Sequence, residues 1–430
     1  MEKKSYLSMT ESEQQQEFSA IQKEYQHLTT LGLGLDMSRG KPGLEQMDLS
    51  RRIFDLVGNP LGFKNKDGID CRNYGGLDGL SELKELFAGI LGLAPQQIIV
   101  GGNSSLNMMF DTISQAMTHG FGSTPWLKQG EISFLCPSPG YDRHFAITEY
   151  FGIRMIPIAM REDGPDMDAV EKAVRDPSVK GMWCVPKYSN PLGITYSDAV
   201  VRRIAHLKPA ARDFRVMWDN AYAIHDLYDE GDTLLNIYDE CVKAGNPDLV
   251  IQFTSTSKIT FPGAGVAAEA GSPNNVEMLK GRMKYQTIGP DKLNQLRHAR
   301  MFHDVAELKA HMKLHAALLR PKFESVLDEF DRQLEGLEIA RWTKPNGGYF
   351  ISLDVMEGCA KRVEELCGGA GVILTKVGAT YPYGKDPHNS NIRIAPSYPS
   401  AEDMQMASRV LCTAVRYAAL EKLLSEKPAE

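Results

Sequence analysis

From about residue 71 to residue 254, short apolar or β-branched runs alternate with stretches in which apolar residues return at helical spacing. The runs fall at residues 97–100, 132–136, 181–185, 214–218 and 249–254. Between them, Leu106, Met109, Phe110, Ile113 and Met117 share one helical face, and residues 167–174 and 199–207 behave likewise. Strands alternating with helices predict a mainly parallel α/β sheet covered by those helices. Ahead of this region, residues 11–30 read as a polar helix, and the Gly-rich stretch 31–43 reads as a loop or extended connector carrying Arg39, Gly40, Lys41 and Pro42. Past residue 305 the pattern changes to a long helix through Leu308, Met312, His315 and Leu319. Strands are expected there at 347–353, 372–375 and 392–395, with a last helix ending near 424. The expected organisation is a large α/β domain over 50–305 and a smaller α+β domain built from 1–49 together with 306–430. No repeat of 20–50 residues appears, which disfavours solenoids and propellers.

At 430 residues the chain exceeds one small core, and two domains is the simplest division. A charged fraction of 24% and an apolar fraction of 43% are those of an ordinary globular protein. A net charge of −7 and no Lys/Arg cluster argue against a nucleic-acid partner. Seven cysteines, spread widely and without a CxxC pair, argue against a disulfide framework and a zinc ribbon. With no apolar leader and no apolar run long enough to span a bilayer, the expected location is the cytoplasm, with no membrane partner.

In an open parallel sheet, ligands bind beyond the carboxyl ends of the strands. The run ending at Val100 leads into Gly101, Gly102, Asn103, Ser104 and Ser105 and then into a helix, whose open N–H groups suit an anion; a tight turn with an N-cap serine has the same sequence. The run ending at Cys136 leads to Tyr141 through Pro139, and the next leads to Asn190 and Pro191. Both prolines are candidates for cis bonds, although the general rate for X–Pro favours trans. Tyr141 alone would read as a half-buried loop aromatic. Asp219, at the end of the fourth run with Tyr222 three residues on, would alone read as an N-cap. Lys258 follows Ser255, Thr256 and Ser257; at a strand end it can be desolvated enough to act as an amine nucleophile, whereas most lysines are solvated surface groups. Taken together, the anion cradle, stacking aromatic, Asn, Asp and Lys match one ligand: a phosphorylated aromatic pyridine aldehyde.

The order of these residues resembles the class I/II aminotransferases among fold-type I pyridoxal-phosphate enzymes. The stretches Ser38-Arg39-Gly40-Lys41-Pro42, Asn73-Tyr74-Gly75-Gly76, Ser255-Thr256-Ser257-Lys258 and Thr287-Ile288-Gly289-Pro290-Asp291-Lys292 resemble the divergent bacterial subgroup Ic of aspartate aminotransferases, related to the aminotransferase-like domain of MocR regulators. The resemblance implies that Lys258 carries pyridoxal 5'-phosphate as a Schiff base and moves the substrate proton. Asp219 would meet the pyridine nitrogen. Asn190 and Tyr222 would hydrogen-bond the phenolic oxygen, and Tyr141 would stack on the ring. Asn103, Ser104, Ser105 and Ser255 would lie at the phosphate, with Tyr74 reaching the phosphate of a neighbouring subunit in a homodimer with shared active sites. Arg393 would grip the substrate α-carboxylate, with Asn190 and the backbone of Gly40 beside it.

One departure stands out: the arginine that the family commonly places eight residues after the lysine is Val266 here. For the far carboxylate of a dicarboxylic substrate the candidates are Arg39, Lys41, Lys284 and Lys292. The implied reaction takes an amino acid and a 2-oxo acid, L-aspartate and 2-oxoglutarate, in ping-pong fashion. Alternatives are an aminotransferase for aromatic amino acids, 2-aminoadipate or alanine, a C–S lyase, or a pyridoxal-phosphate sensor domain. His311 and His315 lie four apart on a helix, but without an HExxH pattern they read as a solvated or packed face, and no metal site is expected.

Overall fold

The computed structural model describes residues 3–426. In chain order its strands are β1 (Leu35–Asp36), β2 (Ile98–Val100), β3 (Ser133–Ser138), β4 (Arg154–Arg161), β5 (Gly164–Pro165), β6 (Val179–Cys184), β7 (Arg215–Asp219), β8 (Val250–Ser255), β9 (Ala267–Gly271), β10 (Ala340–Trp342), β11 (Ile351–Val355), β12 (Val372–Ile373) and β13 (Asn391–Ile394). The five apolar runs become β2, β3, β6, β7 and β8, and every residue in them is buried. Continuous burial is what a strand covered on both faces requires.

Among the described residues, an eight-stranded sheet has the order β2-β9-β8-β7-β6-β3-β4-β5. The run from β8 to β4 is parallel, while β9 is antiparallel to both its neighbours and β5 is antiparallel to β4. Strand β4 lies on one side of β3 and β6 on the other, so the winding direction reverses between β3 and β6. At such a switch point the two flanking loops part and leave a crevice. Alternate residues feed opposite layers: Phe134, Trp183, Ile251 and Phe253 pack with Met109, Ile113 and Ala116. Leu135, Met182, Val216 and Trp218 pack with Val170, Val201 and Ile204 on the other face.

The terminal segments share another core. Ile21 and Leu28 of the helix Glu11–Thr29 meet Leu411 and Ala418 of the helix Ala401–Ser425, together with Leu353 and Ile394. Strands β10, β11 and β13 form an antiparallel sheet there, and β1 pairs in parallel with β12. The helix Val305–Gln333 joins the two regions, with Leu308 and Met312 in a core beside the large sheet and Phe323 and Phe330 in the terminal one.

Several details differ from the pattern reading. The connector 31–43 contains β1. Strands β4, β9 and β10 were not expected, and the strand expected over 347–353 begins at Ile351. Both Ser138-Pro139 and Asn190-Pro191 are cis, against the trans form favoured by general frequency, and Asn59-Pro60 is cis as well. No helix among the described residues is long and apolar enough to cross a membrane. All seven cysteines are buried free thiols.

Candidate active site

The carboxyl ends of β2, β3, β6, β7 and β8 open onto one cavity of about 650 Å³, closed on the far side by Gly40, Phe350, Thr375 and Arg393. Its lining includes Ser104, Ser105, Tyr141, Asn190, Asp219, Tyr222, Ser255 and Lys258. Residues from five strand ends and from the terminal region thus meet in one place.

Lys258 is half-buried in the turn after β8, with Nζ 5.1 Å from the centre of the Tyr222 ring and 5.9 Å from that of Tyr349. Burial lowers the pKa of its amine below the ordinary lysine value, and the Asp219 carboxylate opposes that shift. Its carbonyl accepts a long hydrogen bond of 3.4 Å from the Tyr349 hydroxyl, which itself accepts from Gln46 Nε2 at 2.8 Å. The Tyr349 hydroxyl thus reaches the Lys258 backbone, while the Tyr222 and Tyr349 rings flank its amine.

Asp219 ends β7 and is buried. Its Oδ2 accepts from His144 Nε2 at 3.0 Å, while Oδ1 is buried without a partner among the described residues. A bare carboxylate oxygen at this depth is costly unless a donor arrives from the cavity. A protonated pyridine nitrogen is such a donor. His144 is fixed by stacking on Trp183, with ring centres 4.4 Å apart and planes 9° apart, and Trp183 Nε1 donates to Thr148 Oγ1 at 2.8 Å. Tyr222 is buried, and burial raises its pKa well above the ordinary tyrosine value, so the hydroxyl stays protonated and able to donate.

At the opposite end of the cavity the helix Ser105–His119 begins. Ser104 is its N-cap residue with extended backbone, but its hydroxyl makes no capping bond. The first-turn N–H groups, with the Ser104, Ser105, Ser255 and Ser257 hydroxyls beside them, form a cradle for a phosphate. Ser255 Oγ donates to Ser257 Oγ at 3.1 Å. Val266 lies in the apolar core, its backbone N–H bonded to Thr256 Oγ1 at 2.9 Å, so no cation replaces it there. These features fit pyridoxal phosphate at both its phosphate and its ring nitrogen.

Arg393 rises from β13 to the cavity wall, over the Phe350 ring at 4.9 Å. Its Nη1 donates to Asp142 Oδ1 at 2.9 Å and to Asn190 Oδ1 at 3.2 Å, and its Nε donates to Thr375 Oγ1 at 3.3 Å. At Gly40 a Cβ would fall 2.4 Å from Phe350 Cζ, so only glycine permits this backbone approach.

Of the residues assigned to the cofactor from the sequence, two lie outside the cavity lining. Asn103 turns its amide to the Pro262 carbonyl at 3.4 Å, and its own carbonyl accepts from Ser257 at 3.4 Å. Tyr74 is 83% exposed on the outer surface. Of the cations considered for a far carboxylate, Arg39 lines the cavity. Lys41 sits 3.7 Å over the Tyr398 ring, Lys292 donates to the Gly75 carbonyl at 2.6 Å, and Lys284 is on the exposed face of the helix Pro273–Gln286. The sequence reading missed His144, Asp142, Arg143, Ser257 and Lys376. The first three follow Tyr141 directly and share the first turn of the helix Asp142–Tyr150, a signal that was available. His311 and His315 are buried against each other at 3.1 Å, held by Ser50, Gln46 and the Ile259 carbonyl.

Comparison with known proteins agrees with this geometry. The profile of the aspartate amino-transferase family matches residues 9–427. The aspartate aminotransferase of Corynebacterium glutamicum is 47% identical over 403 residues, covering 93% of each chain. The crystal structure of an aspartate transaminase from Corynebacterium glutamicum superposes with a TM-score of 0.94 at 46% identity, over 96% of this chain and 98% of that one. A Thermus thermophilus α-aminoadipate aminotransferase, solved with N-(5'-phosphopyridoxyl)-L-leucine, shares the fold with a TM-score of 0.71 at 20% identity, over 93% of this chain and 95% of that one.

Proposed function

Since the chain belongs to the aspartate amino-transferase family, whose profile spans nearly all of it, we propose that this transaminase moves the amino group of L-aspartate to 2-oxoglutarate using pyridoxal 5'-phosphate bound at Lys258. The observation that carries the cofactor assignment is the pairing of the half-buried Lys258, whose amine pKa burial lowers, with the buried Asp219, one oxygen of which has no partner among the described residues. The substrate assignment is supported by the 47% identity to the Corynebacterium glutamicum aspartate aminotransferase.

The cofactor, when bound, supplies a carbonyl carbon that carries the amino group and a protonated ring that takes up the electron pair released at the substrate Cα. The protein does the rest. Asp219 Oδ1 would accept from the ring nitrogen and keep it protonated, with His144 fixing the other oxygen. Tyr222 and Asn190 would donate to the phenolic oxygen, and Tyr141 would close one ring face. Ser104, Ser105, Ser255, Ser257 and the helix N-terminus would hold the phosphate. Arg393 would take the α-carboxylate beside the Gly40 backbone and so turn the Cα–H toward Lys258, whose amine, its pKa lowered by burial, is the group placed to accept that proton and give it back. A second carboxylate on the substrate would meet Arg39, Arg143 and Lys376, which line the cavity. The same groups serve the second half-reaction, in which 2-oxoglutarate leaves as glutamate.

The proposed working unit is a cytoplasmic homodimer in which Tyr74 reaches the partner's phosphate. Its large domain spans 50–305 and its smaller one the two terminal segments. Seven buried thiols are consistent with a reducing compartment. The test is spectroscopic: aspartate should abolish the cofactor's visible absorption and 2-oxoglutarate should restore it. Failure of both steps rejects the reaction, and pyruvate release without a 2-oxo acid would indicate elimination instead.

A further inference from the structure

The guanidinium of Arg393 has five N–H groups, and most of them are already taken. The two on Nη1 go to Asp142 and Asn190, and the one on Nε goes to Thr375. Nη2 makes no hydrogen bond to another protein group among the described residues. A carboxylate gripped by two parallel hydrogen bonds needs neighbouring N–H groups on one edge, either Nη1 with Nη2 or Nε with Nη2. Each edge is half occupied. One of the two partners on Nη1 is itself a carboxylate, Asp142, 2.9 Å away and lining the same cavity as Arg393.

We propose that Asp142 is a built-in competitor for the substrate: it holds Arg393 when no acid is bound, and an incoming amino or 2-oxo acid must displace it. The proposal rests on the reading of Arg393 as the α-carboxylate site. Two carboxylates on one guanidinium repel each other and compete for its N–H groups, so the affinity of the site is the difference between the two grips. Exposure is unequal, with the Arg393 side chain 9% and that of Asp142 33% exposed, so the aspartate is the partner with room to leave. It also has a place to go. Asp142 is the first residue of the helix Asp142–Tyr150, and its carboxylate is favoured near that helix's unpaired N–H groups once Arg393 is released. A resident anion also keeps the buried guanidinium paired between turnovers, which avoids the cost of an uncompensated charge. Asp142 therefore sets how weakly the site holds acids, and with it how readily product leaves.

The test uses the holoenzyme carrying Asp142→Asn, and Asp142→Ser as a second variant that suits a helix start. The readouts are the KM values for aspartate and 2-oxoglutarate and the dissociation constant of succinate, a dicarboxylate with no group to transfer, followed through the cofactor's absorption. Removing the competing charge should tighten succinate and lower both KM values by roughly tenfold, the scale of a partly buried charge pair. Asp142→Glu, which restores a carboxylate, should return them toward wild type. Unchanged or weaker binding in both Asn and Ser variants overturns the proposal, and weaker binding would mean that Asp142 supports Arg393 rather than competing with its ligand. Arg393→Lys separates the two readings. If it leaves the succinate constant unchanged, Arg393 is not the carboxylate site; if it weakens binding while the Asp142 variants do not tighten it, only the competition is lost.

Discussion

A lysine amine in water is protonated at neutral pH and cannot take a proton from carbon. Lys258 is biased the other way because burial penalises its ammonium form more than Asp219 stabilises it. Lys258→Ala removes both the proposed cofactor attachment and the proposed base, so the rate should fall by about 10⁴-fold or more. Borohydride reduction followed by peptide mapping should find reduced vitamin B6 on the wild-type peptide and none on the variant. His144 acts one step back. It donates to Asp219 Oδ2 at 3.0 Å and is locked over Trp183. His144→Phe keeps a ring but loses the donor, so Asp219 can rotate away from the ring nitrogen, and kcat should fall on the order of 10²-fold. His144→Gln, with an amide donor of similar reach, should recover part of that loss. Equal rates for the Phe and Gln variants would show that the hydrogen bond is irrelevant.

At the scale of elements, the fold was legible where burial is continuous and obscure where it is not. β3, β6, β7 and β8 are buried throughout because helices cover both faces, and each carries a candidate site residue at its end or in the loop beyond it. That is why Tyr141, Asn190, Asp219 and Lys258 stood out together as strand-end candidates, although none of them carried the reading alone. β4 alternates exposed and buried residues and carries Pro157, while β9 is Ala267-Ala268-Glu269-Ala270-Gly271, with no β-branched or aromatic residue to mark it. Lys376 stayed hidden because its place at the cavity depends on how loops from two regions meet. Glu269, the one acid in β9, is buried against Thr112, with Oε2 3.3 Å from its hydroxyl and with Arg282 and Asp111 nearby; burial pushes its pKa up to about 7. The folded state thus keeps a proton that the unfolded chain loses near the ordinary value of 4.5. Stability from this group is full below that ordinary value, declines as pH rises, and is gone above about 7. Glu269→Gln, which cannot ionise, should match wild type at acidic pH and gain up to about 3 kcal/mol over it at alkaline pH. Thermal melts at the two ends of that range read the difference, and a constant offset would exclude Glu269 as the titrating group.

At the scale of the whole molecule, a single chain leaves one named residue without an obvious task. Tyr74 is 83% exposed, and Ile69, Tyr285 and Ile288 are 46%, 89% and 63% exposed. The turn at Tyr74 lies against that at Ile288, since a Cβ on Gly289 would fall 2.6 Å from the Gly75 carbonyl. An aromatic and aliphatic patch of this kind is covered economically by a two-fold copy of itself. If it is, Tyr74 leaves solvent and enters the partner's phosphate cradle, which lacks an arginine at Val266 and has room for another donor. Subunit mixing tests this without a structure. Tyr74→Ala should weaken phosphate binding, so that the variant loses cofactor on dilution, while Lys258→Ala is inactive at its own site. In a mixed dimer the Lys258→Ala subunit lends its intact Tyr74 to the site that still has its lysine. Unfolding and refolding the two variants together should therefore recover a population with wild-type cofactor retention and activity, which neither variant shows alone. If Tyr74 served its own subunit, the mixture would show only the average of its parents.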